Sequence, residues 1–151
     1  MIRAVLDANV LVTPASPPEH VAAIRAGGKP DQILHQAGDR FIWLTSAFIV
    51  SEVAAVLGRK HIQAKYQARV TREERTRFLA EIQTLATAIV VTTVVTAVHE
   101  DVKDNPVLAC GVDGRADYVV TGDRHLLELG TYEGLQIMTP EQFLRELDIQ
   151  A

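Results

Sequence analysis

Short apolar runs rich in β-branched residues alternate along this chain with segments of helical character. This alternation limits the folds available more than any other feature of the sequence. Residues 2–6 (IRAVL), 41–44 (FIWL), 117–121 (DYVVT) and 135–138 (LQIM) read as buried strands, and 88–95 (AIVVTTVV) as a further β-rich run. Strands separated by helices build an α/β fold, here a three-layer, doubly wound parallel sheet with helices on both faces. In such sheets ligands bind beyond the carboxyl ends of the strands, where the strand order reverses. A chain of 151 residues supplies one core, and no linker or repeat divides it, so residues 1–151 are expected to form a single domain.

Helix signals fall between the strands. Three prolines in 13–18 (TPASPP) predict a loop, and 19–37 predict a helix broken near Gly27-Gly28 and Pro30. Thr45 or Ser46 caps a helix to about Leu57, which Gly58 ends. Thr71 and Glu74 have capping-box spacing for a helix to about Ala86. Asp104 and Asn105, followed by Pro106, open a helix to about Val112, and 123–129 form a short one. Thr139-Pro140-Glu141-Gln142 opens the last helix with a cap, a first-turn proline and a third-position Gln.

The acids fall where that topology places ligands. Asp7 directly follows the first strand, with Asn9 two residues on, placed either to cap the next helix or to orient Asp7. Glu52 lies in SAFIVSEVAAVL, a helix almost without other polar residues, and must face water, a base or a cation. Asp104 opens the helix after HEDVKD, with Asp101 as an auxiliary, and Asp123 follows the strand through Thr121-Gly122. Each aspartate has a plain alternative as a helix cap. Gathered at one sheet edge, Asp7, Glu52, Asp104 and Asp123 would repel one another, and no lysine or arginine in these motifs plainly neutralises them. A hard divalent cation such as Mg²⁺ would. The histidines at 20, 35, 61, 99 and 125 are scattered and show no zinc spacing.

Charge is unevenly spread. The net charge is −4, yet residues 58–77 hold seven bases against two acids, whereas 100–151 hold eleven acids against four bases. The basic segment either attracts a polyanion or is a solvated helix face. Apolar residues make up 48% of the chain, which excludes disorder as its main state. A single cysteine, Cys110, excludes an intrachain disulfide and fits a reducing compartment. Asp7 and Asn9 interrupt the N-terminal apolar run, so it is neither a signal peptide nor a membrane span, and a cytoplasmic protein is expected.

LDANVLV at 6–12 and DNPVLACGVDGRADYVVTGDRHLL at 104–127 resemble the motifs of PIN-domain proteins, in the form found in the VapC-like toxins of toxin–antitoxin systems. The resemblance runs over nearly the whole chain. It implies a metal-dependent ribonuclease using one or two Mg²⁺ or Mn²⁺ ions, with Asp7, Glu52, Asp104 and Asp123 as catalytic acids and metal ligands. Asn9, Thr121 and Asp101 would support them, and Arg59, Lys60, Lys65, Arg69 and Arg72 would line the RNA path. Hydrolysis leaving a 5′-phosphate, a small antitoxin partner and a homodimer are further implications. The segment from Arg25 to Arg40 departs from the family pattern. Two rival readings remain at this point: an inactive interaction module on the same fold, and a Mg²⁺-dependent phosphatase. Phosphatases of the HAD type place a second Asp two residues after the first, where this chain has Asn9.

Overall fold

A computed structural model describes residues 1–12, 29–58, 72–99 and 101–150. Its six strands are β1 (Ile2–Leu6), β2 (Phe41–Thr45), β3 (Thr87–Ala88), β4 (Tyr118–Val120), β5 (Thr131–Tyr132) and β6 (Leu135–Met138). They form one sheet in the order β3-β2-β1-β4-β6-β5. All neighbours are parallel except β5 and β6. The helices described are α1 (Ala8–Leu11), α2 (Lys29–Leu34), α3 (Ala47–Leu57), α4 (Arg72–Leu85), α5 (Asn105–Asp113), α6 (Arg124–Leu129) and α7 (Pro140–Ile149). A 3₁₀ turn, Val102–Asp104, leads into α5.

Successive side chains of a strand point to opposite faces, and β4 shows both faces covered. Phe143 of α7 meets Phe41 edge-on at 5.1 Å and Tyr118 at 5.9 Å. On the other face α5 lies against Val119. A Cβ added to Gly111 would stand 2.8 Å from Leu135 Cδ1 and 3.3 Å from Val119 Cγ2, so this helix approaches the sheet only because position 111 has no side chain. Trp43, Phe41, Phe143, Leu44, Ile49, Leu108 and Leu126 are among the largest fully buried residues of the core.

From β1 the order runs through β2 to β3 on one side and through β4 to β6 on the other. The switch point therefore lies between β1 and β4. Asp7 and Thr121 stand at its carboxyl edge, where Asp7 N donates to Val120 O at 2.9 Å and extends the pairing past the end of β1.

Three elements differ from the sequence reading. The β-rich run 88–95 pairs only through Thr87–Ala88 and one further bond, Ile89 N to Thr45 O. β2 ends at Thr45, so the run loses its ladder partner. Its backbone is tied to α5 instead: Thr92 N, Thr93 N and the Thr93 hydroxyl all donate to the Asp113 carboxylate. The sheet is also not wholly parallel, because β5 turns back onto β6 through Glu133 and Gly134, both at positive φ. Glu-Gly is a weaker turn signal than Asn-Gly or Asp-Gly. Helix α2 stops at Leu34 rather than 37, where Gln36 N and Ala37 N bond three residues back. The predicted loop 13–18, the start of the 19–37 helix and the Thr71 cap lie outside the described residues. The Thr139–Gln142 capping box of α7 is present in full.

Candidate active site

Asp7 is 7% exposed, and both its oxygens are hydrogen-bonded. Oδ1 accepts from Ala8 N at 2.7 Å, so the capping interaction is real. Oδ2 accepts from the Thr121 hydroxyl at 2.9 Å and from Asn9 Nδ2 at 3.2 Å. The single Thr121 proton is thereby committed to Asp7, while its oxygen accepts from Asp123 N at 3.0 Å. Asn9 Oδ1 accepts from Gly122 N at 2.9 Å, which fixes its amide with the NH₂ turned toward Asp7. Asn9 and Thr121 thus stitch the end of β1 to the turn after β4. Despite these donors, burial pushes the Asp7 carboxyl up to about 6, with the charges of Asp123 and Glu52 adding to the rise.

Asp104 is 6% exposed and sits at the cap position of α5, yet its side chain caps nothing. Its Oδ2 is buried without a hydrogen-bond partner. Burial first, then the neighbouring Asp123 and the charges of Asp101 and Asp7, raise its carboxyl to about 8. Asp123 is half-buried and caps α6 through Oδ1 alone, accepting from His125 N at 2.8 Å and Leu126 N at 3.3 Å. Asp101 Oδ1 accepts from Lys103 N at 3.1 Å at the start of the 3₁₀ turn. One carboxylate oxygen from each of Asp101, Asp104 and Asp123 lies within 4.8 Å of the others.

Asp7 and Glu52 stand outside that close group but within electrostatic reach of it. Glu52, half-buried on α3, acts on Asp7, and Asp7 acts on Asp104. The structure therefore draws Asp101, read from sequence as an auxiliary, nearer to Asp104 and Asp123 than Glu52 stands. Sequence reasoning misses Asn105 as part of this arrangement. Its Oδ1 accepts from Val98 N at 2.8 Å and its Nδ2 donates to Val98 O at 2.9 Å, both bonds buried, clamping Val98 to the start of α5. An Asn directly after a helix-opening Asp is the only trace of this in the sequence. Of the basic residues, Arg72 is exposed at the start of α4, which packs on α3. Arg59, Lys60, Lys65 and Arg69 lie outside the described residues.

A family model for the PIN domain matches residues 3–125. The chain belongs to the PIN-domain family. Proteins of this family are generally nucleases, and typically use divalent metals. The matched span includes Asp7, Glu52, Asp101, Asp104 and Asp123. No curated protein matches the chain as a relative. The acids suit a metal of that kind on two counts. The donors are all carboxylate oxygens, as a hard cation requires, and a buried Asp104 oxygen is without any donor of its own. No described helix is long and apolar enough to cross a membrane.

Proposed function

We propose that this PIN domain, formed by residues 1–151 as one unit, is a metal-dependent endoribonuclease and the toxin of a toxin–antitoxin pair. The observation carrying the reading is Asp104: a buried carboxylate that caps nothing, beside Asp123 and at the sheet edge that presents Asp7. In this reading Asp7, Glu52, Asp104 and Asp123 hold one or two Mg²⁺ or Mn²⁺ ions. A bound ion of this kind supplies a water of lowered pKa and positive charge for the phosphoryl oxygens. Thr121 and Asn9 hold Asp7 in place with their donors turned onto Oδ2. Half-buried Glu52 orients the attacking water, and departure of the 3′-oxygen leaves a 5′-phosphate. A phosphatase of the HAD type is disfavoured because position 9 is an amide donating to Asp7, where that chemistry needs a second carboxylate.

Support for RNA as the polyanion comes from the charge pattern. The basic segment leads into α4, which packs on the helix bearing Glu52. Arg59, Lys60, Lys65, Arg69 and Arg72 then form the phosphate-binding rim. A small antitoxin, a homodimer and a cytoplasmic location belong to the same reading and rest on the toxin resemblance.

Purified protein is expected to cleave a labelled single-stranded RNA with Mn²⁺ or Mg²⁺ and to stop in EDTA. Cleavage that persists in EDTA would overturn the reading. Neutralising Arg59, Lys60 and Lys65 together should weaken RNA binding. It should also flatten its salt dependence, by about 0.7 in log–log slope for each single-strand phosphate that the protein no longer neutralises. An unchanged slope returns the segment to a solvated helix face.

A further inference from the structure

The sequence reading gives the metal to Asp7, Glu52, Asp104 and Asp123 and treats Asp101 as an accessory. The geometry points to a different role for Asp101: we propose that it is a direct ligand of a divalent cation, closing a three-carboxylate site with Asp104 and Asp123. This inference rests on the metal-dependent reading above and extends it by one ligand.

Two independent observations carry it. The first is proximity, since one oxygen from each of the three carboxylates lies within 4.8 Å of the others. Three acids alone would be an ordinary surface feature. The second observation is the buried member. Asp104 is 6% exposed, its Oδ2 has no hydrogen-bond partner, and its side chain does not cap the helix it opens. A buried anionic oxygen with no donor needs a cation or a proton.

The surrounding backbone bonds engage one oxygen of each of the other two acids. Asp101 uses Oδ1 for Lys103 N, and Asp123 uses Oδ1 for His125 N and Leu126 N. Asp101 Oδ2 has no hydrogen bond within the described residues, and Asp123 stands close enough to the Asp104 carboxyl for the two to share a proton or an ion. Asp101 is also held in place. The paired bonds between Asn105 and Val98 tie Val98 to the start of α5, and Asp101's own cap bond fixes the 3₁₀ turn between it and Asp104. This preorganisation is what a ligand separated by only three positions from Asp104 requires.

The test is Mn²⁺ binding to the intact protein, followed by the paramagnetic resonance of free Mn²⁺. The variants are Asp101→Asn and, as a control for loss of one acidic charge, Asp39→Asn at an exposed position. Asparagine retains an Oδ1 acceptor for Lys103 N, so the turn should persist. Circular dichroism of each variant checks this. Asp101→Asn is expected to weaken Mn²⁺ binding about tenfold or more, with Asp39→Asn close to wild type. Wild-type affinity in Asp101→Asn would overturn this inference alone and leave the four-acid reading standing. No Mn²⁺ binding by the wild type would overturn both. Equal weakening in both variants would overturn direct ligation and leave Asp101 only its general charge.

Discussion

Asp7→Asn is expected to lose RNA cleavage by roughly a thousandfold or more while keeping the fold, on the scale of several kcal/mol that metal-assisted charge stabilisation supplies. The substitution changes almost no volume at a position 7% exposed. It keeps an acceptor for Ala8 N, so the local cap survives. It removes the anionic oxygen that Thr121 and Asn9 hold in place. The melting temperature without metal should not fall much, because a buried charge disappears together with its cost. Cleavage rates and melting temperature measured on the same sample separate the two effects. A variant that cleaves at the wild-type rate would remove Asp7 from the site. A variant that unfolds would show that the buried bonds from Thr121 and Asn9 to this position hold the fold rather than serve the chemistry.

The second large effect is a fall in metal-free stability as pH rises. Asp7 is held at about 6 and Asp104 at about 8, both above the ordinary 3.8. The folded protein therefore keeps these protons at pH values where the unfolded chain has released them. Stability falls with pH wherever the folded state binds more protons. Their contribution is fully present below about pH 4 and is lost as pH rises through about 6 for Asp7 and about 8 for Asp104. Together the loss is on the order of a few kcal/mol. Asp113 and Glu141 shift the other way. The Thr93 hydroxyl holds Asp113 low and the Arg145 guanidinium holds Glu141 low, so both act at more acid pH. Denaturant midpoints between pH 4 and 9 in EDTA would show the decline. Asp104→Asn should flatten its upper half, and a wild-type curve rising across this range would contradict the account.

How much of this is legible in the sequence differs from element to element. β1 and β6 can be bounded to the residue, because a mostly apolar run ending at an Asp, or at Thr-Pro, leaves little freedom. The α7 cap is equally plain, since cap, proline and Gln are all local signals. The run 88–95 is not legible. Its composition favours a strand, but whether a strand forms depends on a partner, and β2 stops at Thr45. Asp113 is the residue that captures it, and no local pattern connects 113 with 92–93.

Within the site, strand ends show which acids share an edge, because carboxyl ends of parallel strands are fixed by topology. They do not show which acids come close. Asp101 and Asp123 meet Asp104 through the geometry of a 3₁₀ turn and a tight turn after β4, the first capped by Asp101's own bond from Lys103 N and the second held by the Thr121 hydroxyl. Capping and site roles also prove compatible. Asp7 caps with one oxygen and gives the other to Thr121 and Asn9, Asp123 caps through one oxygen alone, and Asp104 caps nothing.

The most direct test of a cation site built on these carboxylates is the melting temperature at pH 8 with and without Mn²⁺, for the wild type and Asp104→Asn. An ion that binds only the folded state stabilises it in proportion to the logarithm of its concentration. The wild type should rise steadily with added Mn²⁺, and Asp104→Asn should start higher in EDTA and respond little. A wild type indifferent to Mn²⁺, or a variant that responds as strongly, would contradict the account.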